Sequence, residues 1–204
     1  PAHKALLTGI PVREELLQGD ADQARQWLNF DEDKPLLLVV GGSLGSQVIN
    51  NAVRDVLEDL LVDFNVVHIC GAGQTEELLA RYGGYRQYEY LDEQLKHLLA
   101  LTDIVISRAG ATMLFELLAL GKPHLLVPLS RRASRGDQIL NAQSFEQQGF
   151  SMVLQEESLN GKQLLGNVKQ LYQQRGEYID AMSSQAEGQA IRRVREALDS
   201  VIKL

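Results

Sequence analysis

Five consecutive residues, Leu36-Leu37-Leu38-Val39-Val40, carry no polar side chain and are bounded by Pro35 and Gly41-Gly42. So short and uniformly apolar a run suits a strand covered on both faces, as in a parallel sheet flanked by helices. The pattern recurs. Residues 64–70, Ile104-Val105-Ile106, residues 124–127 (stopped by Pro128) and residues 151–154 read as further strands, with a shorter one at Tyr88-Glu89-Tyr90. Between them lie segments with helical apolar spacing. The first carries Val48, Ile49, Ala52, Val53, Val56, Leu57 and Leu60, and shorter helices follow at 75–80 and from an Asp92 cap to about Leu101. Met113, Leu114, Leu117, Leu118 and Leu120 mark a helix ending near Gly121, and residues 138–148 another. Near the start, a strand is expected at 5–7, a turn at 10–13 into a short helix, and a helix from 21 to about 29 capped by Asp20. Six or more strands alternating with helices predict an α/β fold with a doubly wound parallel sheet, followed after Ser158 by helices alone.

At 204 residues the chain can bury a sizeable core. A net charge of −7 argues against a general nucleic-acid binder but leaves room for a phosphate held by backbone donors and a few arginines. The single cysteine, Cys70, excludes a disulfide scaffold within the chain and fits a reducing compartment. No apolar run approaches the ~20 residues needed to span a bilayer. The chain opens without Met, inside an expected strand, which reads as a piece of a longer protein.

In doubly wound sheets ligands sit beyond the carboxyl ends of the strands, where the winding reverses. Two motifs fall on that edge. Ser107-Arg108-Ala109-Gly110-Ala111-Thr112-Met113-Leu114-Phe115-Glu116 runs from strand through a small-residue turn into a helix, leaving amide groups free at its start. The helix dipole favours phosphate there, and Glu116, about one turn inside, can accept hydrogen bonds from hydroxyls but cannot hold phosphate. Phosphate donors beside a hydroxyl acceptor point to a nucleotide or sugar nucleotide. Gly41-Gly42-Ser43-Leu44-Gly45-Ser46 permits close backbone approach, with the Ser43 hydroxyl able to bond a phosphate oxygen. The same glycines could simply make a tight turn with Ser43 or Ser46 as helix cap.

Other candidates are weaker. A dehydrogenase-type dinucleotide site needs Gly-x-Gly-x-x-Gly and an acidic residue ending the next strand. Here that strand ends Ile69-Cys70-Gly71, so an NAD-binding oxidoreductase domain is the runner-up. Asp20-Ala21-Asp22 and Asp31-Glu32-Asp33 read as solvated turns, not metal sites, and the histidines at 3, 68, 97 and 124 are scattered without metal-ligand spacing. His124 reads as a packed core residue. No Ser/His/Asp arrangement assembles. The loop Ser130-Arg131-Arg132-Ala133-Ser134-Arg135-Gly136-Asp137-Gln138 is either a solvated surface loop or a flap over a diphosphate, with the Gln138 amide bonding ligand hydroxyls.

Three motifs in order, Gly41-Gly42-Ser43-x-Gly45, Ser107-Arg108-Ala109-Gly110-Ala111-Thr112 with Glu116, and Asp137-Gln138-Ile139-Leu140-Asn141-Ala142, resemble the C-terminal half of the MurG family. These are bacterial transferases that carry N-acetylglucosamine from UDP-N-acetylglucosamine (UDP-GlcNAc) to lipid I, giving lipid II in peptidoglycan synthesis. Thr8-Gly9-Ile10-Pro11-Val12-Arg13 resembles the family's interdomain motif, with Ile10 where Asn is usual. The donor domain of another UDP-sugar transferase of the same two-domain GT-B type is the alternative that the resemblance leaves open.

The resemblance implies a Rossmann-like donor domain over 13–185, an interdomain linker or strand remnant at 1–12, and a C-terminal helix at 186–204 that packs on the N-terminal domain or on its own. By position, Arg13 and Ser43 approach the nucleotide and its diphosphate, and Leu91 holds uracil through its backbone. Ala111, Thr112, Met113, Leu114, Phe115 and Glu116 surround diphosphate, sugar and ribose, with Glu116 on the ribose hydroxyls, and Gln138 bonds the GlcNAc hydroxyls. The implied chemistry is inverting and uses neither metal nor cofactor beyond the donor. Lipid I binding and the catalytic base are expected in the N-terminal domain, so this chain alone binds donor without turnover. The full-length protein is expected to be cytoplasmic and peripheral on the inner face of the membrane.

Overall fold

The computed structural model describes residues 12–30, 33–131 and 134–183. Six parallel strands form one sheet in the order β3-β2-β1-β4-β5-β6: β1 Leu36–Val40, β2 Asn65–Ile69, β3 Tyr85–Tyr88, β4 Ile104–Ser107, β5 His124–Leu126 and β6 Ser151–Val153. The winding reverses between β1 and β4, which pair directly with Val40 opposite Ser107.

Strand β1 is buried at every position because its alternate side chains enter two different cores. Leu37 and Val39 face a layer made by helices α2 (Gln47–Asp55), α3 (Leu57–Asp63) and α7 (Gly161–Gln173). Leu36, Leu38 and Val40 face the other layer, made by the 3-10 turn Glu14–Gln18, α1 (Ala21–Leu28), α4 (Gln94–Leu101) and α5 (Ala111–Ala119). A third cluster joins α5 to α6 (Asp137–Gln147) and α8 (Arg175–Ser183) through Leu114, Phe145 and Met182. The two-sided burial is what an unbroken apolar run requires.

Several local expectations hold. Asp20 caps α1, its carboxylate accepting from the amides of Asp22 (2.9 Å) and Gln23 (3.3 Å), so the first Asp-x-Asp triplet is a capped turn. Of the second triplet only Asp33 is described. The expected strand at 5–7 and the tail helix at 186–204 lie outside the described residues, as do Thr8 to Pro11 of the interdomain motif.

Other expectations shift. The strand read at Tyr88-Glu89-Tyr90 is instead Tyr85–Tyr88. Tyr85 is the buried anchor at 2% exposure, whereas Tyr90 stands 67% exposed. The helix read at 75–80 is only a 3-10 turn, Glu77–Arg81. Asp92 offers its backbone carbonyl to the Leu95 amide (2.9 Å), and α4 begins at Gln94 with no side-chain cap. The long amphipathic stretch after Ser46 breaks at Val56, whose φ of −125° leaves the helical region. There Val56 packs against the start of α7: a Cβ on Gly161 would lie 2.6 Å from its Cγ1.

Two histidines are fully buried. His124 donates its Nδ1 proton to the Lys122 carbonyl (2.7 Å) and packs beside Phe145. His68 donates from Nε2 to Asn50 Oδ1 (2.9 Å) and accepts the Tyr85 hydroxyl at Nδ1 (2.9 Å). Asn50 fixes this direction, because its Nδ2 already donates to the Cys70 carbonyl (3.0 Å) and to Gln74 (2.9 Å). Burial, helped by the nearby Arg54 cation, pushes His68 down to about 3. Burial pushes His124 down to about 4, against the Lys122 hydrogen bond. Both stay neutral when folded, while the unfolded chain protonates below about 6.5. The unfolded state therefore binds more protons as pH drops, and stability falls with it. Melting temperature should begin to decline below about pH 6.5, before the carboxylates titrate; a flat profile from pH 7.5 to 5 would contradict the buried neutral assignment.

Candidate functional site

The loops after β1 and β4 leave the sheet side by side and enter helices on opposite faces, the topology that in doubly wound sheets puts a ligand crevice at the switch point. One wall is Gly41 to Ser46. Gly45 has φ +75° and lies so near the end of β2 that a Cβ would sit 2.0 Å from the Cys70 carbonyl oxygen. No other residue fits there. Gln74 fastens the loop from the other side, donating Nε2 to the Leu44 carbonyl (3.0 Å). Ser46, not Ser43, caps α2, its hydroxyl accepting from the Ile49 amide at 3.4 Å. Ser43 stands exposed on the loop.

The other wall is the start of α5. Gly110 is its N-cap, no side chain caps it, and a Cβ on Gly110 would meet nothing within 4 Å. Leu114 N–H already bonds the Gly110 carbonyl (3.1 Å), which leaves the amides of Ala111, Thr112 and Met113 as the outward donors of the first turn. Thr112 is exposed; Leu114 is core, Met113 packs beside the second core, and Phe115 stacks edge-on against Phe145. Of these three, only Met113 keeps a free amide in the first turn.

Glu116 is 2% exposed and sits about 7.5 Å along the helix axis from Ala111. Arg13 reaches its carboxylate with both ends of the guanidinium fork, Nε to Oε1 at 2.8 Å and Nη2 to Oε2 at 3.3 Å. The hydrogen bond and charge of Glu116 raise the already basic Arg13 against the opposing pull of burial. The resemblance implies separate nucleotide contacts for these two residues, whereas here they bond each other.

Leu91 follows β3 with its side chain in the second core, at the same edge. The loops after β2 and β3 are tied there, Gly73 N–H donating to the Glu89 carboxylate at 2.9 Å and Gly71 N–H to the Glu89 carbonyl at 3.2 Å. Gln138, second residue of α6, accepts the Leu129 amide at Oε1 (3.1 Å), which turns its NH₂ group away as the donor. Asn141 ties α6 to the α5 turn, donating to the Ala109 carbonyl at 3.1 Å. Arg131 and Arg135 are exposed, and the middle of their loop lies outside the described residues.

Arg108, only 7% exposed, points into the protein. It donates to Ser46 Oγ (2.7 Å) and to the Val127 carbonyl (3.1 Å), and pairs with Glu156 at 2.5 Å. Burial alone would raise Glu156, but the hydrogen bond and charge of Arg108, with further bonds from Ser130, hold it below the ordinary glutamate value. No sequence motif marks Glu156 or the Asn50–Gln74 link. Asn50 had a signal, a polar residue on the apolar face of α2; Glu156 had none, since only the fold brings it to Arg108.

Among the described residues no three His, Cys, Asp or Glu side chains gather as a metal site, and no helix is long and apolar enough to cross a membrane. Residues 36–199 match the family described as Glycosyltransferase family 28 C-terminal domain. The chain belongs to this glycosyltransferase family. It is also similar to curated relatives along nearly its whole length. A UDP-N-acetylglucosamine--N-acetylmuramyl-(pentapeptide) pyrophosphoryl-undecaprenol N-acetylglucosamine transferase of Clostridium perfringens is 50% identical over 94% of this chain and 54% of its own length. The Clostridium kluyveri protein of the same name is 52% identical over 98% of this chain and 55% of its own. The chain thus spans about half the length of these relatives. Among solved structures, Acinetobacter baumannii MurG superposes with a TM-score of 0.67 at 22% identity, over 93% of this chain and 55% of that one. The kitacinnamycin glycotransferase superposes with 0.72 at 18% identity, over 97% and 48%. Both share the GT-B type of fold.

The Gly45 contact gives a direct check on the crevice wall. Gly45→Ala combines a left-handed backbone with an impossible approach to Cys70 and should cost ~1–3 kcal/mol in urea unfolding. A loss within 0.5 kcal/mol would mean that the loop does not lie against β2.

Proposed function

We propose that this chain is the donor-binding half of an enzyme that moves N-acetylglucosamine from UDP-GlcNAc onto lipid I, the undecaprenyl-diphosphate-linked muramyl pentapeptide, in peptidoglycan synthesis. The names of the half-identical relatives support this reading. The observation that carries it is the crevice itself: uncapped amides of α5 opposite the exposed Ser43, with a buried carboxylate, Glu116, in the same helix.

Each residue has a role by chemistry. The amides of Ala111, Thr112 and Met113, with Ser43, take the diphosphate. Glu116 accepts the ribose hydroxyls, and Arg13 turns from Glu116 to the nucleotide's negative charge. The backbone beside Leu91 pairs with uracil, and the Gln138 NH₂ donates to a sugar hydroxyl. The acceptor hydroxyl attacks the anomeric carbon from the face opposite UDP; the bond to the diphosphate oxygen breaks and configuration inverts. Helix N-termini stabilise the departing charge, the task a metal performs elsewhere. The base and the lipid-binding surface belong to the other half of such an enzyme, which works at the inner face of the membrane. This chain alone binds donor without turnover.

Calorimetric titration with UDP-GlcNAc in the presence of a chelator should show saturable binding, stronger than UDP-glucose and with none for NAD. Binding of NAD alone would overturn the proposal. Glu116→Ala should lose a charge-assisted bond worth ~1.5–3 kcal/mol, or roughly 10- to 150-fold in donor affinity. Unchanged affinity would remove Glu116 from the ribose.

A further inference from the structure

We propose that Arg108 and Glu156 form a positioning pair that holds the two walls of the crevice in register, and that Arg108 does not itself grip phosphate. The inference rests on the donor-binding reading above. One guanidinium here joins four carboxyl ends of the sheet. Arg108 leaves β4; its Nη2 donates to Ser46 at the end of the β1 loop, and its Nη1 donates to the Val127 carbonyl just past β5. Glu156, following β6, pairs with Nη1 at 2.5 Å and accepts the Ser130 amide from the β5 loop at 3.3 Å.

The direction of these bonds decides the role. An arginine kept for phosphate presents its planar fork to the ligand. Here both terminal nitrogens bond protein, the side chain is 9% exposed, and a carboxylate neutralises the charge. Ser46 Oγ accepts from Arg108 and also from the Ile49 amide, so Arg108 sets the position of the hydroxyl that starts α2. The glycine loop ends at that hydroxyl, and α5 begins three residues beyond Arg108. Displacing the guanidinium would therefore move both sets of amides relative to each other. Removing either partner of a buried pair leaves the other charge uncompensated, so the two residues should fail together.

The test is calorimetric titration of the 204-residue chain with UDP and with UDP-GlcNAc, below the melting temperature of every variant. Arg108→Lys and Glu156→Gln should each lower affinity for both ligands about 10-fold, the scale of a misplaced positioning group, and the double variant should lose no more than the worse single. Lys should not rescue, because a point charge cannot make the forked set of bonds. Ser46→Ala, which removes only the linking hydroxyl, should weaken binding about 2- to 5-fold and guards against misfolding of the charge variants. Tighter binding by Glu156→Gln would mean that a released Arg108 grips phosphate, overturning the proposal. Unchanged affinity with a lowered melting temperature would make the pair a packing feature, also overturning it. Failure of the unaltered chain to bind either ligand would overturn the donor reading together with this one, an outcome distinct from binding that the variants leave intact.

Discussion

The pairing of β1 with β4 is the constraint on which the carboxyl edge depends. Two parallel strands lie side by side, yet the chain leaves them toward opposite faces, Gly41 to Ser46 into α2 and Arg108 to Gly110 into α5. In doubly wound sheets, such divergence of two adjacent connections is what leaves a gap for a ligand. Both helices then offer their N-termini to that gap, α5 without any capping side chain. Backbone polarity thus converges on one place as a result of topology alone.

A crevice lined by amides is useful only if its walls keep their spacing, and polar contacts do this where apolar packing cannot reach. On the β2 side, Asn50 and Gln74 fasten the glycine loop through the Leu44 and Cys70 carbonyls. On the β5 side, Arg108 does so through Ser46 and Val127. The His68–Tyr85 bond extends the first set to the edge strand, where burial and the nearby Arg54 cation keep the imidazole neutral.

Much of this was legible in the chain's residues. Strand β1 was read to its exact ends because an all-apolar run between proline and glycines admits little else, and the six-strand alternation set the sheet. The edge strand β3 begins three residues and ends two residues before the expected strand, since the tyrosines at 85, 88 and 90 look alike in sequence and only the fold buries Tyr85 and bonds it to His68. The break at Val56 lies against Gly161, a neighbour more than a hundred residues later that no local pattern reports. At the carboxyl edge, the motifs marked the two loops but could not choose between Ser43 and Ser46 as cap. That choice belongs to Arg108, whose partner Glu156 carries no motif.

The Arg13–Glu116 pair has an energetic corollary. Glu116 already holds a counter-ion through two bonds, so a pair of neutral hydroxyls can take its place only by stranding the guanidinium. A bare nucleoside offers that cation nothing in return, whereas a molecule bearing negative oxygens does. On the proposed reading, pentose recognition is thereby made conditional on the presence of phosphate, and discrimination against uncharged metabolites follows from an exchange of partners with no need for an added contact.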